Sequence, residues 1–535
     1  MSDIIIRIVA SLSCATFFCV ATFSSLGAMQ QSGYKNGTFW RWLRRSDNLF
    51  FNRLCTLALC LALASTATSL CFSFLGVRGA LAVSAVPFFI LLLGFCISGE
   101  KYALKVPTKR TGRLQRLFAV YFLFVACATY IFLAALWFLA KWNGSQLYGF
   151  IAYTPFAVTP MLLPLLLCLA NGIEGIFENA RNKKFVKRAG QVLDESKILR
   201  VGVVGSYGKT SVKNILKTVL LEKYSVVETP ESYNTPIGVA KTVFSDEFTG
   251  KAVLIAEMGA RRRGDIAELC RLVKPDYAIF TGVCPQHISS FGSVENVWTE
   301  KKEIIKSGAY TVCGVSARAW AEKDAEVNAA QNVAYIDTAR VENVRMQATK
   351  TSFSLRLDSG VINVETSLLG DAAVENILLA ATLAEKMGMT AAEIENGIKK
   401  LSPIPHRLQL IENNGVYILD DGYNGNPRGA EEALAALSRF EGRKCIVTPG
   451  LVECGVLEER LNGELGEKIA AIAPNKTILV GETLVGAVRA GYANGGGNEE
   501  NLVVVPTLQK AQEVLAEWVR EGDCVLFLND LPDVY

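Results

Sequence analysis

Paired cysteines, a strong net charge and internal repeats are all missing from this chain. Its fourteen cysteines include no CxxC pair, so neither a zinc site nor a disulfide framework is indicated. The formal net charge is only +4, and nothing in it implies nucleic acid as a partner. No repeat or low-complexity tract runs through the 535 residues. No small-residue cleavage site stands out after the first apolar stretch, so a cleaved signal peptide is not expected.

What the chain does have is unevenly placed. Eight of the fourteen cysteines fall in the apolar first third, where they read as small apolar side chains in a reduced or lipid setting. Uncharged runs near Ile8–Met29, Leu54–Val77, Gly79–Gly99, Leu117–Ala140 and Tyr148–Ile173 are each long enough to cross a bilayer as a helix. Leu54–Gly99 also reads as a re-entrant hairpin. The polar connections differ in charge. One carries Lys35, Arg41, Arg44, Arg45 and Arg53, and another Lys101, Lys105, Lys109, Arg110, Arg113 and Arg116, while the other two hold only Arg78 and Lys141. The positive-inside rule makes the two basic loops cytoplasmic. The N-terminus is then expected outside, and everything after Ile173 inside. Residues 174–199 are charged and helix-prone, with Lys183, Lys184, Lys187 and Arg188 clustered. They read as a juxtamembrane connector on the lipid surface or as a solvated helix face.

The run Arg200-Val201-Gly202-Val203-Val204 is strand-like and ends in Gly205-Ser206-Tyr207-Gly208-Lys209-Thr210-Ser211, after which a helical pattern begins. This arrangement describes a phosphate-binding loop. Backbone N–H groups and a helix N-terminus wrap the phosphates, a lysine reaches the outer oxygens, and a hydroxyl takes Mg²⁺. The full eight-residue consensus is not met, because Val203 stands where a first glycine would. The alternative is a tight strand-to-helix turn capped by Thr210 or Ser211.

From Val201 onward, short β-rich runs alternate with helical patterns, the signature of a doubly wound parallel sheet. Two alternating runs, Thr351–Leu357 and Gly360–Thr366, predict an appended hairpin turning at Asp358-Ser359-Gly360. A second α/β set begins after Leu401-Ser402-Pro403-Ile404-Pro405. Glu257 ends an apolar strand at a carboxyl edge, where α/β sheets place ligands and where a carboxylate can hold Mg²⁺. His287, one of two histidines, follows another apolar strand and reads as a metal ligand, a general base or an ordinary loop histidine. Lys301 and Lys302 lie fourteen and fifteen residues further on, in an amphipathic helix. Asp420-Asp421-Gly422-Tyr423-Asn424-Gly425-Asn426-Pro427 ends a strand in paired carboxylates, with Asn426 or Pro427 placed to open a helix.

Taken in order, these residues resemble the Mur ligase family, ATP-dependent amide ligases that build the peptidoglycan stem peptide. They are most like its branch that adds D-alanyl-D-alanine to a UDP-linked muramoyl tripeptide. The resemblance rests on the phosphate loop through Lys213, Thr229-Pro-Glu-Ser-Tyr-Asn234-Thr-Pro-Ile-Gly238, Glu257-Met-Gly-Ala260 with Gly264-Asp-Ile, the His287 to Lys301 spacing, Asn376, Arg407-Leu and Asp421-x-Tyr-Asn424-x-Asn426-Pro. It spans roughly residues 198–460. It implies a Mur-type central ATPase domain over 200–403 and a C-terminal Rossmann-like α/β domain over 404–535, behind a multi-pass helical membrane region (1–173) and the connector.

The resemblance also assigns roles. Gly205, Ser206, Gly208, Lys209, Thr210, Ser211, Asn234, Asn376, Arg407, Asp421, Asn424 and Asn426 would bind ATP. Thr210, Glu257, His287 and Lys301 would hold Mg²⁺, with Lys301 carbamylated as in many members. Lys209, His287 and Lys301 would be catalytic. ATP would phosphorylate a carboxylate, and an amine would then attack the acyl phosphate. The sequence departs from the family where membrane spans replace the UDP-sugar domain. It departs again at Gly422, at Ala372 and Ala373, at Pro449-Gly-Leu-Val-Glu453-Cys-Gly455 and over the tail Leu528–Tyr535. The expectation is therefore a multi-pass ligase of the bacterial cytoplasmic membrane with cytoplasmic catalytic domains. Its acid would be lipid-linked or UDP-linked and its amine an amino acid or dipeptide. A poly-γ-glutamate-like synthetase and a ligation-inactive ATP-binding scaffold are the alternatives.

Overall fold

A computed structural model describes residues 2–44, 107–143, 148–231, 233–423, 425–481 and 483–529. The expected spans 54–77 and 79–99, and the candidate residue Asn424, lie outside the described residues. The chain divides into two compact units, one formed by residues up to Asn182 and one running from Lys183 to Leu531.

The first unit is helical. Helices Ser2–Ala21 and Phe23–Gln31 meet at a 53° bend. At the bend, Thr22 donates its hydroxyl to the Phe18 carbonyl at 2.7 Å, the back-bond to the preceding turn that bends helices. The same hydroxyl lies 3.0 Å from Tyr121 of the helix Gly112–Asn143. The two helices share a core of Cys14, Ala15, Phe18, Leu117, Tyr121 and Val125. Among the described residues, Gly112–Ala135 and Leu162–Glu195 are long and apolar enough to cross a bilayer, and a third span results if the bent pair counts as one. The sequence placed a boundary at Ile173, whereas one helix runs unbroken over Tyr148–Glu195. Glu174, 1% exposed, is held in this unit by Arg113 at 3.1 Å and Arg116 at 3.2 Å.

The second unit holds two α/β sheets. In the first, strands β1 (Leu199–Val204), β2 (Val226–Glu228), β3 (Val253–Glu257), β4 (Tyr277–Phe280), β5 (Tyr310–Cys313) and β6 (Val333–Tyr335) run in the order β2-β3-β1-β4-β5-β6. Every pairing is parallel. Separate apolar clusters cover its two faces, which is why these strands read as continuous hydrophobic runs. An antiparallel sheet of β7 (Val341–Met346), β8 (Thr351–Leu357) and β9 (Gly360–Thr366) follows. It contains the expected hairpin plus one strand the sequence did not reveal.

The second sheet orders β10 (Gln409–Asn413), β11 (Val416–Asp421), β12 (Lys444–Thr448), β13 (Lys476–Val480), β14 (Leu502–Val505) and β15 (Cys524–Leu528) as β10-β11-β15-β12-β13-β14. Only β10, also unforeseen, is antiparallel. The carboxyl ends of β1, β3 and β4 carry the Gly-rich loop, Glu257 and the loop to His287. That edge is where an open parallel sheet binds its ligands.

Candidate functional site

Backbone geometry at the Gly-rich loop requires its glycines. Gly208 has φ +71° and opens the twelve-residue helix Lys209–Leu220. A Cβ there would stand 2.9 Å from Asn376 Oδ1, and one at Gly205 would stand 1.8 Å from Thr281 Oγ1. The loop therefore lies against its neighbours with bare backbone toward the space in front of the helix, an anion-binding arrangement.

Two lysines converge on that space. Lys209 and Lys301 both donate to the Gly205 carbonyl, at 2.7 and 2.9 Å. Burial lowers the Lys209 ammonium from its ordinary pKa. Burial, with Lys209 beside it, brings Lys301 down to about 7. Beside them Thr210 donates to Glu257 Oε2 at 3.0 Å, and Asn234 donates to Glu257 Oε1 at 3.3 Å. Lys213, 1% exposed, approaches Glu257 to 3.6 Å and also donates to the carbonyls of Thr229 and Glu231, both at 2.6 Å.

The second sheet's domain closes over this edge. Arg407 donates to the Tyr423 carbonyl at 2.7 Å and reaches the Thr210 hydroxyl at 3.5 Å. Asp421 accepts the Leu408 amide at 3.0 Å, and burial pushes its carboxyl up to about 6. Asn426 caps the helix Pro427–Ser438 through Gly429 N. Next along, Arg428 bonds to Tyr207 and Glu375, and its guanidinium lies 4.4 Å from the Tyr207 ring. His287, φ +55°, meets Glu453, φ +59°, with 2.5 Å between Nδ1 and Oε2.

These contacts enclose a cavity of about 360 Å³ lined by Lys209, Thr210, Asn234, Glu257, His287 and Lys301 among others. A smaller cavity of about 110 Å³, apolar along Leu368, Ala372, Ala373 and Ile404, carries Asn376 and Asp421. Tyr207, Gly208, Ser211, Arg407, Tyr423 and Asn426 line both. Every described candidate residue thus lines one cavity or the other, apart from Gly205, whose carbonyl both lysines hold.

The residues present fit a nucleoside triphosphate and Mg²⁺. Buried Lys301 and half-buried Lys209 share one neutral carbonyl where phosphates would supply charge, and Gln286 Oε1 is buried in the cavity wall without a hydrogen bond. Thr210 and Glu257 bring a hydroxyl and a carboxylate oxygen within 3.0 Å of each other on the cavity wall. Among the described residues no three His, Cys, Asp or Glu side chains form a metal cluster, so the donor set is mixed.

Sequence reasoning did not find Arg428, Glu375 or the His287–Glu453 pair. Glu453 stood in a segment noted only for departing from the family pattern. Arg428 follows the Asn426-Pro427 signature directly, the one cue that could have pointed to it.

Residues 203–384 match the family description "Mur ligase middle domain", and residues 406–529 match "Mur ligase, glutamate ligase domain". Among curated proteins, the chain is similar to the UDP-N-acetylmuramoyl-tripeptide–D-alanyl-D-alanine ligase of Bacillus subtilis, 30% identical over 285 residues, covering 52% of this chain and 60% of that protein. The Escherichia coli protein of the same name is 27% identical over 296 residues, covering 53% and 64%. The chain therefore spans less than two thirds of the length of these relatives. Among solved structures, MurF ligase from Thermotoga maritima in complex with ADP superimposes with a TM-score of 0.59 at 26% identity, covering 66% of this chain and 81% of that one.

Proposed function

We propose that this chain, which belongs to the Mur ligase family through its middle and C-terminal domains, uses ATP to join a carboxylic acid to an amine. The observation that carries the reading is the convergence of Lys209 and Lys301 on the Gly205 carbonyl beside the Thr210–Glu257 pair. A carboxylate is a poor electrophile. Its oxygen attacks the terminal phosphorus of ATP and ADP departs. The amine nitrogen then attacks the acyl carbon, phosphate leaves, and an amide remains. Charge builds on the transferring oxygens, and fixed cations in a closed site stabilise it.

Lys209 supplies one of those cations, and Arg407 brings another from the C-terminal domain. Bound Mg²⁺, held by Thr210 and Glu257 and by His287 with Lys301 in its carbamylated form, would add positive charge opposite the phosphates. Asn376 and Asp421 frame the smaller cavity, which suits the base and ribose.

The reading extends to the first third as a multi-pass anchor in a bacterial cytoplasmic membrane, with the catalytic domains in the cytoplasm. The long apolar helices and the basic loops support it. The acid would then be presented at the membrane, lipid-linked or UDP-linked, and the amine would be an amino acid or a dipeptide. The B. subtilis and E. coli relatives, by name ligases of D-alanyl-D-alanine and a UDP-N-acetylmuramoyl tripeptide, support peptidoglycan precursor synthesis.

The full chain, purified in detergent, is expected to release phosphate from ATP with Mg²⁺ only when acid and amine are both supplied, using an extract of envelope precursors as the acid source. Steady phosphate release with neither present counts against ligation.

A further inference from the structure

Between Gly205 and Gly208 the Gly-rich loop carries two side chains, and one of them, Tyr207, is held from three directions. Its carbonyl accepts the Thr281 hydroxyl at 2.5 Å. Its hydroxyl lies 2.7 Å from that of Ser316, which accepts the Val283 amide at 3.0 Å. Thr281, Val283 and Ser316 all belong to the middle domain. The remaining hold crosses from the C-terminal domain. Arg428, on the first turn of the helix Pro427–Ser438, bonds to the Tyr207 hydroxyl, and its guanidinium lies 4.4 Å from the ring.

Glu375 fixes Arg428 in turn. Its side chain is 10% exposed; one carboxylate oxygen takes the guanidinium, and the other accepts the Val315 amide at 3.2 Å. A guanidinium is a planar fork with fixed donor directions, and one that is both stacked on a ring and paired with a carboxylate is confined to a single orientation. Glu375 also precedes Asn376, whose Oδ1 stands against the Gly208 turn. Glycines on either side leave the loop backbone many conformations, so its shape depends on how firmly Tyr207 is held.

We propose that Arg428 is a positioning residue that sets the Gly-rich loop through Tyr207, so that contact between the two domains and nucleotide affinity are coupled. The proposal rests on the ligase reading above and names the contact by which the C-terminal domain acts on the loop. Arg428 also lines the smaller cavity, so a direct contact with the nucleotide is the rival explanation. The two differ in whether the effect of Arg428 needs the Tyr207 hydroxyl.

The test uses the full chain in detergent. Hydrogen exchange without nucleotide reads the loop itself. Arg428→Gln should speed exchange of the amides of residues 205–210 and leave the strands of both α/β sheets at wild-type rates. Calorimetry with AMP-PNP and Mg²⁺ reads affinity. Arg428→Gln and Tyr207→Phe should each weaken binding about tenfold, the effect of losing a hydrogen bond to a charged group. The double variant should bind no more weakly than either alone. Arg428→Lys keeps the charge without the fork and should not restore affinity. Losses that multiply in the double variant, wild-type affinity in Arg428→Lys, or unchanged exchange in the loop each overturn the proposal. Should Arg428→Gln fail to fold, Tyr207→Phe decides by the same two readouts. Failure of AMP-PNP to bind the wild-type chain overturns the ligase reading instead, and the exchange comparison still decides the positioning role.

Discussion

Lys301 is 2% exposed, and its ammonium donates to a carbonyl that Lys209 also uses. Its pKa of about 7 in the folded chain lies well below the ordinary lysine value of roughly 10.4. Between those two values the unfolded chain holds the extra proton, so stability rises with pH across the window. Below pH 7 the cost of the buried charge is fully present. Replacing Lys301 by Met should therefore raise the unfolding temperature at pH 7, and the gain should shrink toward pH 10. Each unit of the shift carries about 1.4 kcal/mol, so the gain at pH 7 should amount to a few kcal/mol. A midpoint change equal at both pH values, followed by differential scanning fluorimetry, would contradict this.

The same low pKa leaves about half of the Lys301 side chains as free amine near pH 7, the form that adds CO₂ to give a carbamate. Lys301 was legible only through its spacing from His287 within the family pattern, since a lysine pair in a helix usually marks a solvated face. Glu453 was not legible, because its meeting with His287 joins residues far apart in the chain.

The Gly-rich loop shows how much an element's sequence can say when local chemistry alone decides its shape. Gly208 must take φ +71° to open its helix. In Gly208→Ala, the side chain would strain the backbone by about 1–2 kcal/mol and press on Asn376. We expect lower thermal stability and weaker ATP binding in that variant. Wild-type nucleotide affinity by calorimetry would argue that the loop holds no phosphate.

The central strands were equally legible, since burial on both faces leaves continuous apolar runs such as VLIAE. β7 and β10 were not. Both lie at sheet edges, and their residues, VENVRM and QLIEN, are mostly exposed or half-exposed. Register also shifts in β7 between Glu342 and Arg345, with Asn343 at φ +58°. An edge strand with a bulge leaves no clean alternation for a reader of sequence to find.

At the scale of the whole molecule, the site is made where one α/β domain meets another. Arg407 with Thr210, Arg428 with Tyr207 and Glu375, and Glu453 with His287 all link residues more than fifty positions apart. No local pattern announces such pairs, so the sequence supplied the members of the site and the fold supplied their partners. Of the five apolar runs, the described residues contain two helices long enough to span, or three with the bent pair. The central claim remains ligation. Its most direct test replaces the native chain by Lys209→Ala in its own cells and follows lipid-linked and nucleotide-linked envelope precursors by mass spectrometry. Ligation predicts the build-up of one carboxylate-bearing precursor that lacks a defined amino-acid or dipeptide increment. An unchanged precursor profile, with the variant chain present at normal levels, would contradict it.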